Sequence, residues 1–441
     1  MSDGLIERQG AVRVSCLLQV SDRRKRFNQY VRGERIGKGK HGEVYLCQDL
    51  ENQGELAMKV VKRSSPRDRM KMLRRSYQQS VNSSSGEKGL PMNSTEHAIR
   101  KEIIIMKKCR HPNLVRLFEV IDDPQQDKIY LIMEYLAGGP IEWTNGEQEP
   151  ILLVDQTRRV MRDVIVGLDY LHHQGIIHRD IKPANLLWSE NRTTVKIIDF
   201  GISHYCATQH WVSPKKVTTD DDDDLSLFPE CDLRRRVGTP SFLAPEVVWF
   251  DDYMPRATTS SDFTPSSETV KDVYSVNTTQ LRPATTRPPI TKAIDVWSLA
   301  VTFYCFLFGR TPFNLPPQDN ENIHHKEFVL YHQICTQDWM AGDTIGADRI
   351  RTGGRHPQDK SIEGSTVMNL LDKMLQKDPG ERITLGELKR HPWFLCHIAN
   401  PEEWLEATSP TSSAEMPLIC RWARRMGRKI LDILPGSRHS V

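Results

Sequence analysis

The chain has 441 residues, 38% of them apolar, and 60 basic side chains against 57 acidic ones give a net charge of +3. That length allows two or three domains, or one bilobal unit with tails, and the near balance of charge excludes the global field of a nucleic-acid binder. Nine cysteines fall without a CxxC pair or metal-ligand spacing, and the longest apolar run, Leu299 to Phe308, is too short to span a bilayer. The expectation is therefore a cytoplasmic, or also nuclear, protein with reduced thiols and no transmembrane segment.

In chain order, residues 1–29 are polar and basic ("SDRRKRFNQY") and read as a flexible tail. Strand-like runs follow in "YVRGERIG", "GEVYLCQDL" and "ELAMKVVKR", then a polar insert over about 63–92. "NSTEHAIRKEIIIMKKC" reads as a helix: Asn93 and Glu96 have capping-box spacing, and Ile99, Ile103 and Met106 share a face. "LVRLFEVID" and "KIYLIMEYL" are two more strands. "DQTRRVMRDVIVGLDYLHHQG" sets Val160, Val164, Leu168 and Leu171 at helical spacing and stops at Gly175. The remainder reads as mainly helical, apart from polar inserts over about 206–233, which holds five successive aspartates (Asp220 to Asp224), and about 251–289, rich in Ser, Thr and Pro. A small strand-rich lobe thus precedes a larger helical one.

"IGKGKHGEV", from Ile36 to Val44, is a GxGxxGxV loop between two strands. Glycines 37, 39 and 42 allow backbone amides to approach phosphate oxygens, although a glycine-rich hairpin would read the same. A Rossmann fingerprint needs a helix directly after the loop, and here a strand follows. Lys59 lies in an apolar strand, where a charge needs a partner, and Glu102 on the next helix is the candidate. "IIHRDIKPANLL" places Asp180 and Asn185 five residues apart in a loop after a helix. Asp180 is suited to accept a hydroxyl proton and Asn185 to hold a metal. "KIIDFG" adds Asp199 as a second oxygen ligand for a hard cation such as Mg²⁺.

The ordered set GxGxxG, Lys59, Glu102, HRDxxxxN, DFG and APE is specific as a set, and over residues 30–395 the chain resembles the eukaryotic protein kinases. The resemblance implies an α+β, bilobal fold: a small antiparallel-sheet N-lobe with one regulatory helix, and a larger, mainly helical C-lobe. It implies that Ile36, Gly37, Lys38, Gly39, Lys40, His41, Gly42, Glu43 and Val44 cover the phosphates of ATP, with Lys59 binding them while paired with Glu102. It makes Asp180 the catalytic base, Asn185 and Asp199 the Mg²⁺ ligands, Met133 the gatekeeper and Glu134 to Leu136 the hinge, with Ala57 and Leu187 sandwiching the adenine. Glu246 and Arg382 are implied as a buried ion pair, and Asp295 as the anchor of the catalytic loop. Lys182 and "GTPSF" with Thr239 resemble the serine/threonine class. Closer still, "EVIDDPQQDKIYLIMEYLAGGPIEW" and "KAIDVWSLAVTFYCFLFGRTPF" resemble the calcium/calmodulin-dependent protein kinase kinases and the fungal activators of the AMP-activated (sucrose-nonfermenting) kinase. The insert over 63–92 departs from the animal enzymes in having few prolines.

The function so implied is a monomeric, ATP-dependent serine/threonine kinase acting on other kinases. The alternatives are a kinase with a different substrate set and a pseudokinase scaffold. Residues 396–441 form a C-terminal tail, in which about 418–434 reads as a basic amphipathic helix: Ile419, Trp422, Met426, Ile430 and Ile433 fall on one face. Residues 417–435 are suited to Ca²⁺/calmodulin, to a docking face on the kinase itself or to an anionic membrane surface. The position three residues before the glycine of "GTP", where many kinases carry an activating phosphate, is Arg235. Three readings of Asp220 to Asp224 stay open: a solvated acidic loop, a segment that folds back onto Arg179 and Arg234 to Arg236 in place of a phosphate, and an acidic determinant for phosphorylation of Thr218 and Thr219.

Overall fold

In the computed structural model, residues 12–16, 20–21, 26–39, 42–64, 94–123, 125–206, 227–249, 287–314 and 323–410 are described. The small lobe is an eight-stranded sheet in the order β1-β7-β8-β6-β5-β4-β3-β2. Its strands are β1 (Arg13–Ser15), β2 (Val20–Ser21), β3 (Arg26–Phe27), β4 (Tyr30–Lys38), β5 (Gly42–Asp49), β6 (Gly54–Lys62), β7 (Leu117–Asp122) and β8 (Lys128–Glu134). Helix α1 (Ser94–Lys108) lies between β6 and β7 in the chain, and Ile99, Ile103 and Met106 are buried as their spacing predicts. The residue proposed to cap it, Asn93, lies outside the described residues.

The flexible-tail reading of residues 1–29 needs correction where the structure describes them. β1, β2 and β3 all belong to the sheet, and β1 runs parallel to β7 on an otherwise antiparallel array. The attachment is polar: buried Glu119 of β7 accepts hydrogen bonds from Ser15 Oγ (2.5 Å), Gln29 Nε2 (3.3 Å) and Tyr30 OH (2.6 Å). A buried carboxylate needs such donors, and here the N-terminal segment supplies them.

The large lobe is built around α2 (Val154–His173) and α3 (Ala293–Phe308). Val160, Val164, Leu168 and Leu171 of α2 are fully buried, and Gly175 follows the helix with φ 73°. A left-handed residue there is the usual way to end a helix. α3 is buried from Ile294 to Phe308, as expected of a helix apolar all round. β9 (Gly139–Pro140) precedes α2, and between α2 and α3 come β10 (Ile176–Ile177), β11 (Leu186–Trp188), β12 (Val195–Ile197) and β13 (His204–Tyr205). After α3 the described chain runs through α4 (Ile323–Thr336), α5 (Glu363–Met374), α6 (Leu385–Arg390), α7 (Pro392–Leu395) and α8 (Pro401–Ala407). One continuous core joins Ile99 and Ile103 of α1 to Leu131 of β8 and the buried faces of α2 and α3, so the two lobes share a hydrophobic contact behind the cleft. None of the described helices is long and apolar enough to cross a membrane.

Candidate active site

Lys59, Glu102 and Asp199 meet in one cluster, and Asp180, Lys182 and Asn185 in another. Gly37 pairs with Val44 across the β4–β5 turn, and Lys38 with Glu43. Gly42 is required by packing, because a Cβ there would lie 2.3 Å from the Val60 carbonyl oxygen. Gly39 is different: among the described residues a Cβ would meet nothing nearer than 3.9 Å. A glycine there leaves room for backbone amides to approach a ligand's phosphates. Lys40 and His41 lie outside the described residues. Ile36 at the lip is exposed, while Glu43 turns to Arg35 (3.0 Å) and the Tyr45 hydroxyl (2.7 Å).

Lys59 is aligned by the β5–β6–β8 ladder, opposite Val44 and Leu131. Its Nζ lies 2.5 Å from Glu102 Oε1 and 3.8 Å from Asp199 Oδ1. Burial pulls the ammonium down, but Glu102 and Asp199 outweigh it and hold the Lys59 pKa above its ordinary value. The charge therefore persists at neutral pH where triphosphate oxygens would approach. Ala57 faces Met133 across β6 and β8, and Leu136 is buried behind them. Leu187 of β11 is half-buried against the main hydrophobic core and pairs with Pro140 of β9. The Glu134 carboxylate is committed to Lys196 (2.9 Å) and the Arg116 amide (3.2 Å), and its own amide donates to the Arg116 carbonyl (2.9 Å).

The catalytic loop is anchored from below. Asp295, fully buried in the first turn of α3, accepts the amides of His178 and Arg179, both at 2.8 Å, and contacts His172 Nε2 at 2.8 Å. Burial would raise its carboxyl, yet these donors hold it below the usual carboxylate value. Arg179 (φ 71°) and Asp199 (φ 64°) both occupy the left-handed region, a strained conformation for non-glycine residues. On the Asp180 carboxylate converge Lys182 Nζ (2.6 Å), Asn185 Nδ2 (3.1 Å), the Thr239 hydroxyl (2.7 Å) and the Thr239 amide (3.0 Å). Lys182 also reaches Thr239 Oγ1 at 2.6 Å. Gly238, at φ 126°, permits this approach, since a Cβ would lie 2.9 Å from the Arg179 carbonyl. Phe200 is buried edge-on to His178, with Asp199 beside Lys59.

A fold with these parts in this order is matched by the "Protein kinase domain" family model over residues 30–276 and 261–394. The chain belongs to the protein kinase family. Similar curated proteins include the serine/threonine-protein kinase ssp1 of Schizosaccharomyces pombe, 35% identical over 94% of this chain and 52% of that protein. SNF1-activating kinase 1 of Saccharomyces cerevisiae is 32% identical over 89% of this chain and 30% of its own length. The calcium/calmodulin-dependent protein kinase kinase of Caenorhabditis elegans is 30% identical over 83% of this chain and 52% of its own length. The chain thus spans about half the length, or less, of these relatives.

The donor set of the kinase fits a hard divalent cation. Asn185 gives its amide nitrogen to the Asp180 carbonyl (2.8 Å), so its oxygen is the atom suited to a metal, and Asp199 adds carboxylate oxygens. Glu246 and Arg382 form a bidentate pair at 2.8 and 3.0 Å, with both side chains fully buried. Asp220 to Asp224 lie outside the described residues, as does 417–435. The described partners of the Arg179 side chain are main-chain oxygens of Asp232 (3.2 Å), Leu233 (3.5 Å) and Arg235 (2.9 Å). Residues 227–233 were assigned by sequence to a polar insert, but Phe228 and Leu233 are buried and Glu230–Arg234 forms a 3-10 turn. Sequence reasoning passed over Asp232 and Lys101, which meet at 2.5 Å. The available signal was two acids, Glu230 and Asp232, just before three arginines in "ECDLRRR", beside the apolar Phe228 and Leu233.

Proposed function

We propose that the chain is an ATP- and Mg²⁺-dependent protein-serine/threonine kinase whose substrates are other kinases, phosphorylated on their activation segments. The observation that carries the catalytic part is the convergence of Lys182, Asn185 and Thr239 on the Asp180 carboxylate. This acceptor is fixed in orientation and stands ready for a substrate hydroxyl.

In the transfer, the hydroxyl oxygen forms a bond to the γ-phosphorus as the bond to the departing ADP oxygen breaks, and Asp180 takes the hydroxyl proton. Lys182 lies beside Asp180 and neutralises charge on the migrating group. Lys59, held by Glu102, positions the phosphates. Asn185 and Asp199 would hold Mg²⁺, which supplies charge neutralisation on the phosphate oxygens. Such catalysis is mainly positioning and electrostatics, in keeping with a site whose parts are each fixed by a partner. The presence of every one of these groups disfavours a scaffold that only binds.

A kinase substrate is supported by the likeness to SNF1-activating kinase 1 and to a calcium/calmodulin-dependent protein kinase kinase. The same likeness, with the basic amphipathic pattern of 417–435, supports Ca²⁺/calmodulin as a partner. We further place the enzyme as a monomer in the cytoplasm, with access to the nucleus. The test is an assay of the purified chain with ATP and Mg²⁺ on inactive catalytic domains of AMP-activated-type and calmodulin-dependent kinases, with and without Ca²⁺/calmodulin. Asp180→Asn is the control. Phosphate on a serine or threonine of the substrate's activation segment is expected. Transfer to generic peptides but to neither kinase would reject the kinase-kinase reading.

A further inference from the structure

The residues just ahead of "GTP" connect three parts of the molecule that must agree for catalysis. Phe228 packs against the edges of His204 and Tyr205 of β13, at centroid distances of 5.8 and 6.1 Å. The 3-10 turn Glu230–Arg234 then presents carbonyl oxygens to the buried Arg179 guanidinium, next in sequence to Asp180. Asp232 is engaged at both ends. Its carbonyl oxygen accepts from Arg179, while its carboxylate lies 2.5 Å from Lys101 Nζ on α1 and 3.6 Å from Arg235.

Lys101 immediately precedes Glu102. Successive residues of a helix project about 100° apart, so the same turn of α1 directs one side chain to Asp232 and the other into the cleft toward Lys59. Lys101 is mostly buried, with its ammonium also over the Phe228 ring at 5.3 Å. A pair so shielded from water resists salt and has few alternative partners, unlike an exposed surface pair.

Resting on the kinase reading above, we propose that Asp232 is a positioning residue for phosphoryl transfer. Its carboxylate, through Lys101, holds α1 where Glu102 meets Lys59, while its main chain holds Arg179 beside Asp180. One residue of the activation segment thereby ties the ATP-binding lysine to the catalytic base. The charge involved is built into the sequence and needs no modification of this segment.

The test uses the full chain after phosphatase treatment, with Asp232→Asn, Asp232→Glu, Lys101→Met and the double variant Asp232→Asn/Lys101→Met. The carbonyl contacts to Arg179 survive all of these changes. Each neutralising single variant is expected to lose about ten-fold in kcat/KM, with KM for ATP raised. The double variant should lose about the same ten-fold rather than their product, and Asp232→Glu should stay within about two-fold of wild type. Hydrogen exchange across residues 94–108 should quicken equally in both singles and in the double, a readout that needs no catalysis. Singles within two-fold of wild type with unchanged exchange, or a double variant down about a hundred-fold, would overturn the proposal. A wild-type chain that transfers no phosphate while the exchange pattern holds would count against the kinase reading and leave the Asp232 coupling standing.

Discussion

Removing the Arg382 side chain should be among the most damaging single changes in the large lobe. Its guanidinium donates to both Glu246 oxygens, to the Ala293 carbonyl (2.7 Å) and, from two nitrogens, to the Gln376 carbonyl (3.1 and 3.0 Å), and it sits 5.2 Å from the centre of the Trp297 ring. Arg382→Met would leave a carboxylate with no water and no counter-charge, for which about 3–5 kcal/mol is the usual cost. The orphaned carbonyls push the value toward the upper end, about 5 kcal/mol. Glu246→Gln keeps the shape and one acceptor and leaves the Ala293 and Gln376 bonds in place, so about 3 kcal/mol is expected. At roughly 2 °C per kcal/mol for a domain of this size, Tm should fall by about 10 °C and about 6 °C respectively. Urea unfolding followed by tryptophan fluorescence measures both, and the double variant should lose less than the sum of the singles. A cost below about 1 kcal/mol for Arg382→Met, or a larger loss for Glu246→Gln than for Arg382→Met, would refute the reasoning.

Three further outcomes are expected. Asp180→Asn should reduce turnover by about a hundred-fold or more with nucleotide affinity nearly intact, whereas Asp199→Asn should also weaken Mg²⁺-dependent nucleotide binding, as calorimetry with a non-hydrolysable analogue would show. Burial, with Arg179 and Lys101 nearby, depresses the His204 pKa from 6.5 to about 4, and its Nε2 has no hydrogen-bond partner among the described residues. The unfolded chain therefore binds this proton first, and the stability that neutral His204 permits is present above pH 6.5 and lost as pH falls toward 4. The stability difference between wild type and His204→Phe should follow that window, and a pH-independent difference would contradict it. A peptide covering residues 417–435 should show a blue-shifted Trp422 emission with Ca²⁺/calmodulin, and Trp422→Ala should abolish most of the binding measured by calorimetry, since aromatic anchors dominate such interfaces.

The catalytic apparatus was legible because it is written in short contiguous motifs whose residue types are dictated by chemistry: HRDxxxxN brings Asp180 and Asn185 together with no help from the rest of the fold. Lys59 and Glu102 were legible as a pair because an ammonium in an apolar strand needs a carboxylate. The long helices were equally plain, since periodicity alone marks Val160, Val164, Leu168 and Leu171. What escaped was long-range and polar. Arg13–Ser15 has no apolar alternation, and only the fold supplies β7 and Glu119 as its partners. Asp232 sits in a stretch whose composition reads as solvated loop, and its partner Lys101 is 131 residues away. Local pattern reports which face a residue wants to bury, but not which distant charge will be waiting there.

The parallel strand at the edge of the small lobe bears on how the protein is made. Ser15 leaves the ribosome 104 residues ahead of its partner Glu119, so β1 has no place to dock until β7 has emerged. Until then β1 is unpaired, and afterwards it caps an edge whose free amides and carbonyls would otherwise invite another chain. Order of synthesis and order of assembly are therefore reversed at this edge. A fusion partner placed just upstream of residue 12 would act on a strand that joins the sheet late, and its first consequence would be self-association rather than loss of phosphoryl transfer.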